Sequence, residues 1–262
     1  MKLINKIVII TGASRGIGQK VAKRLALEGA YVNLLSRTEK QLHDTKDDIV
    51  RNGGQACIYP VDVTDHKGIT QTVETIIGKV GSVDILINNA GIEGPCGPIW
   101  EIDGNEWWEC INVNLRGAFL CIQAVLPYMI YKKKGMIINM ASSTGEKPTP
   151  FNSAYGLSKM ALIRLSEILA LESQEFGIKV FSIHPGRIDT SMTRSVTKKT
   201  NQENWWAKNF CSFYSRSDYV TTEYVENLII KLALGEADSL SGQFISVFDD
   251  ISDMINRIDN RK

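Results

Sequence analysis

A short β-branched run, Lys-Ile-Val-Ile-Ile-Thr at residues 6–11, passes directly into Gly12-Ala-Ser-Arg-Gly-Ile-Gly18. Val21, Ala22, Leu25 and Ala26 then recur at helical spacing, and Gly29 ends that segment. A run this short, with no polar alternation, reads as a parallel strand buried on both faces. The glycine after the periodic segment reads as a helix stop. Strand, glycine-rich turn and helix in succession point to an α/β fold and make the glycines informative. Glycines let the backbone turn sharply and approach a pyrophosphate, and a helix N-terminus favours the anion. The alternative is a tight strand-to-helix turn that binds nothing.

The rest of the chain continues the pattern. Further strands are expected at 31–35, 55–61, 83–87, 136–140, 178–183 and 241–247. Helices are expected at 39–52, from 64 to about 79, from 103 through the lysines before Gly135, from 155 to about 176 and at 223–234. The run Tyr131-Lys-Lys-Lys-Gly135 fits a helix end, with cations on the negative end of the dipole and a glycine beyond them. No repeat, linker or low-complexity segment interrupts residues 1–262, so one domain is expected. Residues 191–220 differ in character: they are polar, poor in aliphatics, and carry Trp205, Trp206, Phe210, Phe213 and Tyr214. Residues 252–262 read as a charged tail.

The chemistry concentrates in 142–159. Tyr155 and Lys159 are four apart at the start of a helical segment, hence on one face, one turn apart. A cation there favours the phenolate and lowers the tyrosine pKa, which suits proton exchange near neutral pH. Ser142 ends the preceding strand and can meet the tyrosine across a loop with Gly145, Pro148 and Pro150. Tyr-x-x-x-Lys also occurs as an ordinary pair on a helix surface.

Thr11-Gly12-x-x-x-Gly16-x-Gly18, Asn88-Asn89-Ala90-Gly91, Tyr155-x-x-x-Lys159 and Pro185-Gly186 occur in this order. Together they resemble the short-chain dehydrogenase/reductase family, in its single-domain, 3-oxoacyl-acyl-carrier-protein-reductase-like branch. The resemblance is strong over 6–190 and looser over 191–247. It implies a single-domain Rossmann fold, a doubly wound seven-stranded parallel sheet flanked by helices. It also implies a hydride transfer between a nicotinamide and a carbonyl or secondary alcohol. Asn114, Ser142, Tyr155 and Lys159 become the catalytic set: Tyr155 exchanges the proton, Ser142 holds the carbonyl oxygen, Lys159 tunes the tyrosine, and Asn114 holds a relay water. An amide satisfying a helix irregularity is the alternative for Asn114.

The same resemblance assigns the cofactor to Gly12, Ser14, Arg15, Ile17 and Gly18, and to Asn89, Ala90 and Gly91 along the fourth strand's end. Asp62 and Val63 fall to the adenine, with turn formation at Thr64 as the alternative for Asp62. Pro185, Gly186, Ile188 and Thr190 fall beside the nicotinamide, where Tyr155 and Lys159 also contact the ribose. Asn88 is expected to tie strands together, and His184 to pack at a strand end. At the end of the second strand, where an acid would bind a ribose 2′-hydroxyl, stand Ser36 and Arg37, with Arg15 nearby. A hydroxyl and two guanidinium groups suit a phosphate dianion, so NADP(H) is expected over NAD(H). Residues 191–220 become a substrate lid, or else a plain helical insertion. Its aromatics lean toward an apolar or ring-bearing substrate. The ending Val247-Phe-Asp-Asp departs from the family's usual Val-Asp-Gly-Gly, which leaves dimer and tetramer both open.

Composition closes off other classes. The formal net charge is +1, with acids and bases interleaved, so neither nucleic acid nor a membrane surface is an expected partner. Five scattered cysteines without a Cys-x-x-Cys read as free thiols of a reducing, cytoplasmic compartment. Three histidines without ligand spacing argue against a metal site. No apolar run reads as a membrane span or signal peptide. The expected partners are a small carbonyl or alcohol and further copies of the chain, as a homodimer or homotetramer. A dinucleotide sensor without catalysis and a nicotinamide-dependent epimerase or dehydratase are the competing readings.

Overall fold

The computed structural model describes residues 1–200, 205–213 and 219–260; Tyr214 and the side chain of Phe213 lie outside the described residues. Strands β1 (Ile7–Thr11), β2 (Tyr31–Ser36), β3 (Gln55–Pro60), β4 (Ile85–Asn88), β5 (Gly135–Met140), β6 (Ile178–His184) and β7 (Phe244–Ser246) form one sheet. Its order is β3-β2-β1-β4-β5-β6-β7, and every pairing is parallel. Val8 aligns with Val32 on one side and Ile85 on the other, so β1 is central. The order reverses between β1 and β4, and their carboxyl ends open a crevice there.

The absence of alternation in β1 has a direct cause. Val8 and Ile10 pack into the core on one face of the sheet and Ile9 into the core on the other. Helices α1 (Gly16–Leu27), α2 (Glu39–Arg51) and α9 (Thr222–Ala233) cover the first face with Val21, Leu25, Leu42, Ile49, Leu228 and Ile229. Helices α3 (His66–Val80), α5 (Gly117–Lys132) and α6 (Ser153–Ser173) cover the second with Ile69, Val73, Ile76, Val125, Met129 and Leu169. Each such side chain, fully buried, contributes roughly 1.5–3 kcal/mol. Asn88 does tie strands together: its amide donates to Asn139 Oδ1 at 2.8 Å, and Asn139 donates to Ser166 of α6 at 2.8 Å.

Three sequence expectations are corrected. Residues 252–262 are not merely a charged tail, because α10 (Ile251–Asp259) is capped by Asp250, which accepts from Ser252 and Asp253 amides at 2.8 and 3.2 Å. Ile251, Met254, Ile255 and Ile258 turn onto the core, leaving the charges outside. The residue that ends α5 in the left-handed region is Lys133 (φ 52), not Gly135. Gly135 begins β5, where Met129 leaves no room for a Cβ. Finally, the helical stretch Gly104–Lys132 is long and apolar enough to cross a membrane. Half of its most apolar window is buried, against the sheet and its neighbours, so its apolarity is that of a core helix.

Candidate active site

The glycine turn takes its shape from two positive φ values, 65° at Gly12 and 60° at Gly16, which residues with a Cβ rarely adopt. Gly18 serves packing: a Cβ there would sit 2.4 Å from the Gly12 carbonyl oxygen and 2.4 Å from Asn89 Nδ2. Thr11 and Asn89 lock the turn to β4. The Thr11 hydroxyl accepts from the Asn89 and Ala90 amides at 3.0 Å each, and Asn89 Nδ2 donates to the carbonyls of Thr11 and Gly12 at 2.9 and 3.2 Å. No side chain caps α1, whose first residue follows an extended Arg15. Its amides are therefore presented to the crevice as an anion-binding end.

At the second strand's end, Ser36 donates to Ser14 at 2.9 Å and accepts from the Thr38 amide at 3.2 Å. Arg37, 65% exposed, lies 3.5 Å from Asp62. Asp62 also accepts from the Thr64 amide and hydroxyl at 2.9 and 2.8 Å, which realises the turn expected for it. Burial would raise its pKa, but the Thr64 donors and Arg37 outweigh that and hold the carboxyl below its ordinary value.

The other end of the crevice is built on β5 and α6. Ser142 follows β5 and opens a 3₁₀ turn, Ser143–Gly145, accepting from the Thr144 amide and hydroxyl at 3.3 and 3.0 Å. Gly145 lets that turn press on α6, since a Cβ would lie 2.7 Å from the Lys159 carbonyl carbon. Ser142 thereby faces Tyr155 and favours its ionised form. Lys159, 4% exposed, donates to the Met140 carbonyl at 2.7 Å, with its ammonium 5.4 Å from the Tyr155 ring centre. Burial lowers the Lys159 pKa to about 8, opposed by Cys110 and Glu93. Burial also raises the Tyr155 pKa, helped by Glu93 and opposed by Ser142. Burial of the phenol thus works against the lowering by Lys159 that the sequence suggested.

Asn114 lies in a π-helical turn, Asn112–Arg116, between α4 (Gly104–Ile111) and α5. Its side chain is committed to protein: Nδ2 donates to the Ile92 carbonyl at 2.8 Å and to Ser158 at 3.0 Å, and Oδ1 accepts from the Ile92 amide at 2.8 Å. The helix irregularity weighed for Asn114 is therefore present. Gly91 backs onto it: a Cβ there would crowd Asn114 Oδ1 at 3.1 Å and meet Lys159 Nζ at an ordinary 3.6 Å.

One cleft of about 490 Å³ joins both ends. Gly12, Ser14, Arg15, Ile17, Ser36, Arg37, Asp62, Val63, Asn89, Ala90, Gly91, Tyr155, Lys159, Pro185 and Thr190, all named from sequence, line it. Gly18, Asn114, Ser142, Gly186 and Ile188, also named from sequence, are not in its lining. Gly186 packs its back on Val220 and Val247, and Ile188 is buried in the core. Sequence reasoning missed Thr38 in the lining, whereas Glu93 lies in the loop after β4, and Met192 and Ser195 lie in the segment 191–220 expected to be a lid.

Helices α7 (Ser191–Thr200) and α8 (Trp205–Phe213) lie where a lid was expected. Trp206, Ala207 and Phe210 are buried, packed with Cys96 and Phe151. Phe151 meets the Trp205 and Trp206 rings at 5.6 and 5.9 Å. His184 packs at the end of β6 beside Phe248, 6.2 Å between ring centres. No cluster of metal-ligating side chains occurs among the described residues.

Comparison with known proteins places these features in context. Residues 6–201 match the family model described as short chain dehydrogenase. An uncharacterized oxidoreductase of Staphylococcus epidermidis is 35% identical over 195 residues, 74% of this chain and 83% of its own length. The 3-oxoacyl-(acyl-carrier-protein) reductase FabG of Thermotoga maritima is 32% identical over 94% of this chain and 98% of its own. Among solved structures, NAD⁺-bound xylitol dehydrogenase superposes with a TM-score of 0.87 at 28% identity, covering 94% of this chain and 98% of that one. A variant of actinorhodin polyketide ketoreductase with NADPH gives 0.85 at 29% identity, covering 92% and 95%.

Proposed function

The chain belongs to the short-chain dehydrogenase family, an oxidoreductase acting on an alcohol or carbonyl, and from that premise we propose that it works with NADP(H) on a small ketone or secondary alcohol. The observation that carries this is a single cleft lined at one end by the glycine turn and at the other by Tyr155 and Lys159. The uncapped start of α1 and the positive-φ glycines fit a pyrophosphate, and Ser36, Arg37 and Arg15 fit a 2′-phosphate. When bound, the nicotinamide supplies or accepts the hydride. Ser142 and Tyr155 point hydroxyls at one carbonyl oxygen and stabilise its developing charge. Tyr155 gives that oxygen its proton, or takes it back in alcohol oxidation. Lys159, fixed by the Met140 carbonyl, sets a positive charge beside the phenol. Asn114 holds the Ile92 main chain, which leaves any water-holding role to the backbone of the π-turn.

A second reading, use of NAD(H), draws support from Asp62, whose carboxylate competes for Arg37. The ratio of kcat/KM for NADPH and NADH separates the two. A dinucleotide sensor on the same fold predicts binding without turnover. The test of catalysis is Tyr155→Phe against a panel of ketones: turnover falls at least about a hundredfold while cofactor affinity is kept. Substantial residual turnover removes Tyr155 from its role.

The free thiols among the described residues support a reducing, cytoplasmic setting. A second copy of the chain is the proposed partner. Leu157, Met160, Ile168 and Leu171 share an exposed face of α6, with Phe119 exposed on α5, and analytical ultracentrifugation reads the assembly.

A further inference from the structure

We propose that Glu93 determines substrate choice, its fixed carboxylate receiving a hydroxyl or ammonium donor carried next to the reacting carbonyl carbon. The assignment rests on the carbonyl-reducing reading of Tyr155.

Glu93 lines the cleft together with Tyr155 and Lys159. Its main chain is anchored through its neighbour, since Asn114 holds both polar groups of Ile92. Its side chain is anchored separately: Asn152 Nδ2, on a fully buried residue, donates to Glu93 Oε1 at 2.8 Å. Asn152 stands at the N-cap of α6, where an asparagine ordinarily caps its own helix for about 1 kcal/mol. Here it makes no cap bond and spends its amide on Glu93. The preceding residue, Phe151, takes the left-handed region (φ 66) and is held there by the Gly97 amide donating to its carbonyl at 2.9 Å. A residue with a side chain adopts that region at a cost of roughly 1–2 kcal/mol. A helix cap is forgone and a strained backbone kept, and the result is a carboxylate set at the reactive end.

The carboxylate is near enough to act on the reacting groups, since its charge raises the pKa of both Tyr155 and Lys159. An ionised carboxylate only accepts hydrogen bonds, so what it receives is an O–H or N–H. The other cations in the described lining, Arg15 and Arg37, belong to the far end with Ser14 and Ser36. Lys159 therefore faces a negative neighbour, and a substrate with a carboxylate beside its carbonyl meets repulsion. Next to Asn152, Phe151 with Trp206 and Phe210 forms an apolar cluster. The substrate class is then a ring-bearing or apolar ketone with a neighbouring hydroxyl or amine, or the corresponding vicinal diol or amino alcohol.

The test compares acetophenone, its α-hydroxy and α-amino derivatives, and phenylglyoxylate, with NADPH and NADH, in wild type, Glu93→Gln and Glu93→Leu. A site built to bond a substrate donor rejects the analogue lacking it, so wild type favours the α-hydroxy or α-amino ketone over acetophenone by about tenfold or more in kcat/KM. The two derivatives tell hydroxyl from ammonium. Glu93→Leu lowers that ratio about tenfold. Glu93→Gln, which keeps an acceptor for Asn152 and so preserves the fold, raises phenylglyoxylate turnover relative to acetophenone. A ratio unmoved by both substitutions, with acetophenone still reduced, overturns the Glu93 assignment alone. Turnover of none of the four by wild type overturns it together with the carbonyl-reducing reading.

Discussion

Asn114 grips Ile92 by both polar groups of its main chain, amide to carbonyl and carbonyl to amide, at 2.8 Å each. The clamp joins the π-turn before α5 to the loop that leaves β4, on the floor of the cleft. Asn114→Leu leaves the part-buried amide and carbonyl of Ile92 without these partners, at up to about 1–3 kcal/mol for each. The variant is expected to lose about 2–4 kcal/mol of stability and most of its turnover. Denaturant unfolding measures the first; a loss below about 0.5 kcal/mol would mean the clamp matters little.

Arg37 is exposed and only loosely paired with Asp62 at 3.5 Å, so replacing it costs little stability. Arg37→Asp places an acid where a 2′-phosphate would lie. The kcat/KM ratio of NADPH to NADH should fall by about ten- to a hundredfold, as a lost charge-assisted bond implies. If wild type already favours NADH, the cofactor reading is wrong.

Gly18→Ala puts a methyl 2.4 Å from a backbone oxygen that has no side-chain freedom to yield. The helix start has to move off β1, at about 1–3 kcal/mol. A lower melting temperature together with weaker cofactor binding by calorimetry is expected. Unchanged values for both would show that the turn has slack.

His184 has a buried Nδ1 without a hydrogen-bond partner, and burial with the Arg187 charge lowers its pKa from 6.5 to about 4. Between those values the unfolded chain binds the proton and the folded chain does not. Its contribution to stability is therefore full above pH 6.5 and is lost as pH falls toward 4. The loss amounts to roughly 3 kcal/mol at most. His184→Phe should flatten the stability curve in that window, measured by urea unfolding at a series of pH values. Parallel curves for the two proteins would refute the assignment.

Much of the site was legible because its parts are local. A β-branched run, three glycines and a helical period lie within two dozen residues, and each has a backbone reason to be where it is. Tyr155 and Lys159 share a face by helix geometry alone. That Asn88 ties strands together and that Asp62 turns the chain at Thr64 were likewise foreseeable, though Asn139 as the partner of Asn88 came only with the fold. Gly135 misled because a glycine after lysines resembles a helix stop, whereas Met129, packed over it, is a tertiary fact. The final helix was hidden by its charges, since its four apolar residues find their partners only in the assembled core.

The sequence by itself determined the parallel sheet, the glycine turn and the shared face of Tyr155 and Lys159, all consequences of backbone geometry and short-range spacing. Tertiary structure decided the electrostatics. Whether Tyr155 is pulled down by Lys159 or pushed up by burial depends on desolvation and on Glu93, 62 residues away in the chain. That a carboxylate stands at the Tyr155 end of the cleft depends on Asn152 turning from its own helix to Glu93. Charge acts through space, so its balance became readable only once the loop after β4 and the start of α6 stood side by side.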